Sequence, residues 1–469
     1  MPNDGGRQFQ WVNATRPGRN LDQGVRKIVR THVMNDHVRQ KKHQKLRNEN
    51  AAPSSAARPS QDERPGSQFE SPAVKNDAVP RGLGYPSALT LWSYPIPMTA
   101  RTHALLNHYV YHVTERLYPL SKQLKFNPFR GEAWFQFAVT DAAMLHALLY
   151  SGANYLSLLE GKRESEDSVY HLGKTVQIIN RRLQKSVMVD DSTIGALTCV
   201  ALGESMSGHL DLWHVHMRGL KELIRSREDM NPLSHLLRIK LHRTDVAGAI
   251  DYAESPYLPF ERANIPRVWS LIPAQQQEEI YEHLTSTLYQ AGVHSDLVEI
   301  MVELAYFSSA VLLSKTDSMI RLNPSALTED MYWIQHQLLS FSCGPASFHS
   351  IGNIDAACRL GGLLYMKALL EEIPHSYTGP TILLDELRTH LEGIASDEGN
   401  SSLLTWLTLL GLQFTKQDLP KQWFAKHLSE IAQFPLGLGS SSILSLHKLF
   451  STSSERMNRI TSVPKMLEL

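Results

Sequence analysis

From about Pro95 to the C-terminus, apolar residues recur three and four positions apart, and strand-like alternation between turn signals is scarce. A chain written in that period folds as helices, so the expectation is an all-α body of many packed helices. Leu105, Tyr109, His112 and Arg116 share one helix that must stop near Pro119, because proline cannot continue it. Trp134 to Leu159 reads as one broad apolar helix or a pair. Val169, Leu172, Val176, Ile179 and Leu183 form an uninterrupted seam, expected to be buried. Asp191 or Ser192 is then expected to cap a helix carrying Ile194, Leu197 and Ala201 on one face. Trp213, Met217, Leu220 and Ile224 repeat the period. After a proline-rich loop at Ser255 to Pro259, it resumes through Ala357–Leu370 and Leu403–Phe414.

Charge divides the chain differently. The 469 residues are neutral overall, yet residues 1–47 hold 11 Lys+Arg against three Asp, a net of +8, so the rest carries −8. Val25, Val29 and Val33 recur every four residues, with Arg26, Lys27 and Arg30 off that stripe, which predicts a short basic helix. Arg39, Lys41, Lys42, Lys45 and Arg47 follow as five basic residues in nine. Three readings of this arm stand open. It is a nuclear-localisation address read by an import receptor, a phosphate-contacting arm on nucleic acid, or a solvated polar helix with no partner. A basic-zipper reading fails, because such a helix must run straight into dimerising heptads. Here residues 48–90 follow, with six Pro, six Ser and three Gly, a composition expected to form a disordered linker. The expected organisation is therefore a basic arm at 1–47, a linker at 48–90 and a helical body at 91–469.

The N-terminus MPNDGGRQFQ has no apolar h-region, so no secretory signal is expected. No unbroken apolar run approaches the roughly 18 residues needed to span a bilayer; the longest, Leu403 to Leu412, is short and interrupted by threonines. Cys199, Cys343 and Cys358 are too few for a disulfide framework and fit a reducing compartment. The chain reads as intracellular and soluble, with no membrane partner.

Motifs that could carry chemistry mostly dissolve on inspection. Gly173-Lys174-Thr175 resembles the end of a phosphate-binding loop, but Ser168 stands where that loop needs glycine, inside an expected helix. Gly203 to Gly208 has one residue too many for a nucleophile elbow. His108 and His112 could share a helix face, but Tyr109 replaces the glutamate a zinc protease needs. Asp190 and Asp191 fit a helix N-terminus, and His214 and His216 point apart. The closest cysteine pair, Cys343 and Cys358, is fifteen residues apart, which excludes a zinc finger. No catalytic set, metal site or cofactor motif is expected, and the chain is read as a non-enzyme.

Several blocks, in order, resemble the fungal-specific transcription factor family in its helical regulatory, middle-homology domain. They are Val189 to Ala196, Trp213-His-Val-His216-Met-Arg-Gly219-Leu220, Ala357 to Tyr365 with Arg359, Leu404-Thr-Trp406-Leu, and Gln422-Trp423-Phe424. Phe9 to Thr15 and Arg30 to Met34 are similar to a short basic block that opens a subset of that family. The resemblance implies a nuclear regulator of transcription, in its narrowest form a pathway-specific one, with a regulatory rather than catalytic helical body. The departure is that members reading DNA usually hold two zinc ions in an N-terminal six-cysteine cluster, whereas here no cysteine precedes Cys199. DNA contact is then expected to be direct but of low specificity, through Arg26 to Arg47, or made through another regulator. Homo- or hetero-oligomers remain open. A helical interaction scaffold or a metabolite-sensing domain without direct DNA binding is the alternative. Trp213, His216, Gly219, Leu220, Arg359, Trp406 and Trp423 are expected to serve the core, with Gly219 allowing close helix approach.

Overall fold

A computed structural model of the chain describes residues 93–431, apart from 119–126, 128, 130–131, 186–188, 228–232, 318, 342–352, 371–379 and 416–417. The basic arm with Arg26 to Arg47, the expected linker and Cys343 lie outside the described residues. From Tyr94 on they belong to one unit, Tyr94–Leu469, and the described residues contain helices and no strand. The all-α expectation is met.

The first helix, α1 (Ala100–His108), opens with Thr99 and Thr102 in a reciprocal capping box. It passes through a wide π turn (Tyr109–Val113) into α2 (Thr114–Leu117), which ends two residues before Pro119. The Trp134–Leu159 stretch is a pair, α3 (Glu132–Val139) and α4 (Ala142–Leu159), split where Asp141 accepts hydrogen bonds from the Ala143 and Met144 N–H groups. Then come α5 (Glu166–Lys185), α6 (Asp191–Met206), α7 (Leu210–Arg225) and α8 (His235–Asp251). A crossover segment containing a short 3₁₀ turn (Val268–Leu271) leads to α9 (Ala274–Gln290), α10 (Ser295–Thr316) and α11 (Pro324–Ser340). The last four are α12 (Asn353–Leu370), α13 (Thr381–Glu392), α14 (Ser401–Phe414) and α15 (Asp418–Ile431).

Two central helices organise the packing. α6 is buried along its whole length from Thr193 to Met206, because α4, α7 and α8 surround it. Its cap is Asp190, which accepts from Thr193 N–H at 2.7 Å, one residue ahead of the expected position. Asp191 instead meets Arg227 at 2.6 Å, which ties the start of α6 to the end of α7. The second centre is α10, packed against α9, α11 and α12. By length and composition it is apolar enough to cross a membrane, which the search for unbroken runs missed because Glu299 and Glu303 interrupt it. Its best window is 61% buried inside the fold, with Leu297, Met301, Leu304, Ala305 and Phe307 in the core. It is a core helix.

The expected seam of α5 is turned by one residue. Val169 is exposed, while Ser168, His171, Thr175 and Ile179 are buried. The neighbouring helix decides the face. His171 meets His146 of α4, and the hydroxyls of Ser168 and Thr175 donate to the Ser165 and His171 carbonyls of their own helix. Small polar residues satisfied in this way let α4 and α5 approach closely, which a valine stripe would not.

α8 joins the two groups, packing on α6 and on α11. Arg238 of α8 pairs with Glu329 of α11, which also accepts from Ala263 N–H at 2.9 Å. Next to it, Asp330 is fully buried and accepts from Arg262 Nε at 2.5 Å, Arg267 at 3.2 Å and Val268 N–H at 2.6 Å. Lys367 of α12 reaches Asp251 at 2.5 Å, at the end of α8. Removing one partner of a buried, hydrogen-bonded ion pair costs about 3–5 kcal/mol, whereas exposed pairs are worth about 0–1 kcal/mol. Asp330→Ala is therefore expected to lower the unfolding free energy in urea by about 3–5 kcal/mol. Breaking the exposed Lys426–Glu430 pair with Glu430→Ala should change it by less than about 1 kcal/mol. Equal effects would refute the buried clamp that Glu329 and Asp330 form with Arg238, Arg262 and Arg267.

Candidate functional site

The residues singled out by sequence fall on separate helix pairs rather than around one cleft. Trp213 is fully buried on α7, and its indole lies over Gly248 of α8, where an added Cβ would come within 2.2 Å of the ring. Tyr252 and Tyr257 close around it, with ring centres 5.9 and 5.6 Å away. Met217 and Leu220 continue the buried stripe, with Leu223 rather than Ile224 completing it. His216 and Gly219 are half-buried on the flank of α7. Arg359 lies on α12, where burial lowers its basicity and Glu386 of α13 opposes that effect. Trp406 of α14 packs on Gly361 and against Tyr365 of α12, the ring centres 6.4 Å apart. Trp423 of α15 stacks on His427 at 4.9 Å.

Around the Trp213 helix the structure assembles polar groups that sequence spacing does not reveal. His214 Nδ1 meets the Tyr257 hydroxyl at 2.6 Å, and its Nε2 lies 3.2 Å from Glu254. This carboxylate–imidazole–phenol chain fastens the crossover segment to α7. Asp245 of α8 supports the same turn, accepting from the Tyr257 and Leu258 N–H groups at 2.9 and 2.8 Å. Burial pushes its carboxyl up to about 7 against those two hydrogen bonds. Deeper in α8, Lys240 and Arg243 are both 1% exposed. Lys240 lies over the Phe129 ring, and burial lowers it to about 8 while Cys199 opposes the shift.

A second polar node lies where α4, α5 and α6 meet. Asn154 donates to the Gly203 carbonyl at 3.1 Å and accepts from Ser207 at 3.0 Å, while Glu204 meets His209 at 2.6 Å. Together with Tyr150 and Ser168 they line a cavity of about 10 Å³, room for a single water. It is too small for a metabolite. Gly203 packs on the Tyr150 ring, and Gly208 leaves α6 at φ +75°, so the Gly203–Gly208 segment serves packing and termination. Gly173-Lys174-Thr175 lies in the interior of α5, as the sequence indicates.

Histidine pairs flank α4 on two sides. His108 and His112 stand with ring centres 5.0 Å apart, and His108 stacks on Tyr155. His146 and His171 meet Nδ1 to Nδ1 at 2.9 Å, so one ring donates and the other accepts. Burial lowers His108 and His146 to about 4, and the neighbouring histidine adds to the shift in each case. Among the described residues, no three His, Cys, Asp or Glu side chains converge as metal ligands. Cys199 and Cys358 are buried core residues with thiols raised by burial.

What this geometry defines is an all-helical domain held by interlocked rings, glycines and internal ion pairs. Residues 104–247 of the chain match the fungal specific transcription factor domain, a stretch that runs from within α1 into α8 and includes the Trp213 helix. This domain supports a role in transcription regulation. No curated protein and no solved structure matches the chain.

The lowered histidines have a consequence for pH. A group whose native pKa lies below its ordinary 6.5 binds fewer protons folded than unfolded, so its stabilising effect is complete above about 6.5 and fades as pH falls toward 4. The melting temperature of the wild type relative to His146→Asn is therefore expected to decline between pH 7 and pH 5. A constant difference in differential scanning fluorimetry would refute the buried neutral pair.

Proposed function

We propose that the protein is a nuclear regulator of transcription whose helical body, 91–469, is regulatory and non-catalytic. The observation that carries this reading is the match of residues 104–247 to the fungal specific transcription factor domain. The all-helical fold agrees with it, since its buried polar groups are spent on tying helices together. In this reading the basic arm is the address. Arg26, Lys27 and Arg30 with Arg39, Lys41, Lys42, Lys45 and Arg47 engage an import receptor and, once in the nucleus, DNA phosphates. Such an arm gives position without base readout, so promoter choice rests with the helical body or with another regulator bound to it. The chain's three cysteines leave no six-cysteine zinc cluster to supply that choice.

The decisive experiment is a genome-wide chromatin occupancy map of the full-length chain beside a version lacking residues 24–47. Discrete promoter peaks that vanish with the deletion are expected. Peaks that persist would move DNA targeting to the helical body or a partner, and no peaks in either would end the transcription reading. In parallel, Arg39, Lys41, Lys42, Lys45 and Arg47 replaced together by alanine should shift a fluorescent fusion toward the cytoplasm. An unchanged nuclear signal would remove the address.

A further inference from the structure

Glu303 of α10 faces the crossover segment where Arg267 lies over two indoles. The Arg267 guanidinium lies 4.8 Å from the Trp269 ring centre and 4.5 Å from that of Trp333 on α11. It is shared by two carboxylates: Nη1 is 3.2 Å from Asp330 and 4.0 Å from Glu303 Oε2. Asp330 is saturated by Arg262, Arg267 and the Val268 N–H. Glu303 Oε2, by contrast, is out of solvent and has no hydrogen-bond donor among the described residues. An ionised oxygen held in that state is costly, and a protonated one is not.

The groups facing Glu303 pull in both directions. Arg267 and Arg262 from the crossover segment favour the charged form, while Asp330 from α11 and Glu299 from α10 itself oppose it. Tyr306 on α10, whose hydroxyl donates to the Gln277 carbonyl of α9, and Tyr281 on α9 lie on the same side. Burial is the largest influence and pushes the Glu303 carboxyl up to about 7.

We propose that Glu303 is a proton-operated latch on the crossover segment: protonated, it leaves Arg267 to Asp330, and ionised, it draws the guanidinium along the indole faces toward α10. The proton exchanges with water across the 27% of the side chain that remains exposed, and no covalent bond changes. The displacement is about 1 Å, from a 4.0 Å contact to a charge-assisted hydrogen bond of about 2.8 Å. Because the guanidinium lies over both indoles, the movement changes its contact with each ring and tightens the α8–α9 connection against α10. Acidification releases it.

Full-length wild type and Glu303→Gln are to be compared from pH 5.5 to 8.5 by intrinsic tryptophan fluorescence and by thermal unfolding. A carboxyl raised in the native state holds a proton that the unfolded chain has already lost, so its contribution to stability declines as pH rises toward 7. The glutamine variant is fixed neutral, so its melting temperature relative to wild type should climb across this range. Wild type should show a fluorescence transition within one pH unit of 7 that the variant lacks. Asp245, which burial also raises, is present in both proteins and cancels in the difference. Trp333→Phe, which keeps the carboxylates and removes one reporter, should lose at least about half of the transition amplitude. Superimposable profiles for wild type and Glu303→Gln, a melting difference independent of pH, or full amplitude in Trp333→Phe would each overturn the latch.

Discussion

Two adjacent carboxylates on α11, Glu329 and Asp330, hold the two halves of the helical body together. Both are almost fully buried, in a helix that otherwise presents Ala326, Leu327, Met331, Ile334 and Leu338 to the core. Charges in such a place are tolerable only when every lone pair is met. Here they are met from two directions, by Arg238 of α8 and by the Arg262–Val268 stretch of the crossover segment. A hydrophobic substitute of the same volume could fill the space. It could not specify which turn of the crossover lies against which turn of α11. The register of the 253–273 connection, and through it the placement of Trp269 and the start of α9, follows from those donors.

Close approach of helices supplies the rest, and it depends on pairing a large ring with a missing side chain. Trp213 over Gly248, Tyr150 over Gly203 and Phe424 over Gly411 are one device used at several helix pairs. Each brings a helix nearer to its neighbour than two ordinary side chains would allow. Inserting a methyl group at Gly248 would have to displace the indole, which Tyr252 and Tyr257 hold in place. The ring-on-glycine contact between α7 and α8 and the ion pair between α8 and α11 therefore act on the same helix from opposite groups.

This division explains what the sequence disclosed and what it withheld. Local periodicity was legible: α2 stops before Pro119, α6 begins within one residue of the expected acidic cap, and Trp213, Met217 and Leu220 are buried as their spacing indicates. Where a neighbour chooses the face, periodicity alone misleads. Val169 keeps the rhythm yet is exposed, because His171, two residues on and so on the opposite face, has a partner in His146, 25 residues earlier in the chain. The apolar length of α10 was obscured for a related reason: Glu299 and Glu303 interrupt it in sequence, while the fold keeps its remaining faces covered. The clamp was the least legible feature. Arg262 and Asp330 are 68 residues apart, and nothing in either segment names the other. A hint existed in two acids side by side within an apolar helical run, which only an arginine-rich loop elsewhere could make affordable.

The family match ends inside α8, and that position bears on how the protein works. α8 cannot belong to the matched segment alone: one side packs on α6, while Arg238 and Asp251 reach Glu329 of α11 and Lys367 of α12. A chain cut at 247 would lose Asp251 and strip Arg238 of its buried partner. It would also expose the side of α8 that packs on α11. The matched segment is thus one face of a larger cooperative body rather than a separable module. Any signal that shifts α11 or the crossover segment reaches α8 through ion pairs and reaches Trp213 through the Gly248 contact. The proposed regulatory role needs such a route, because binding at one surface alters another only when the elements between them have more than one arrangement and are rigidly joined. In this fold the rigid joint is α8, and the connection with a choice of partners is the one that carries Arg267.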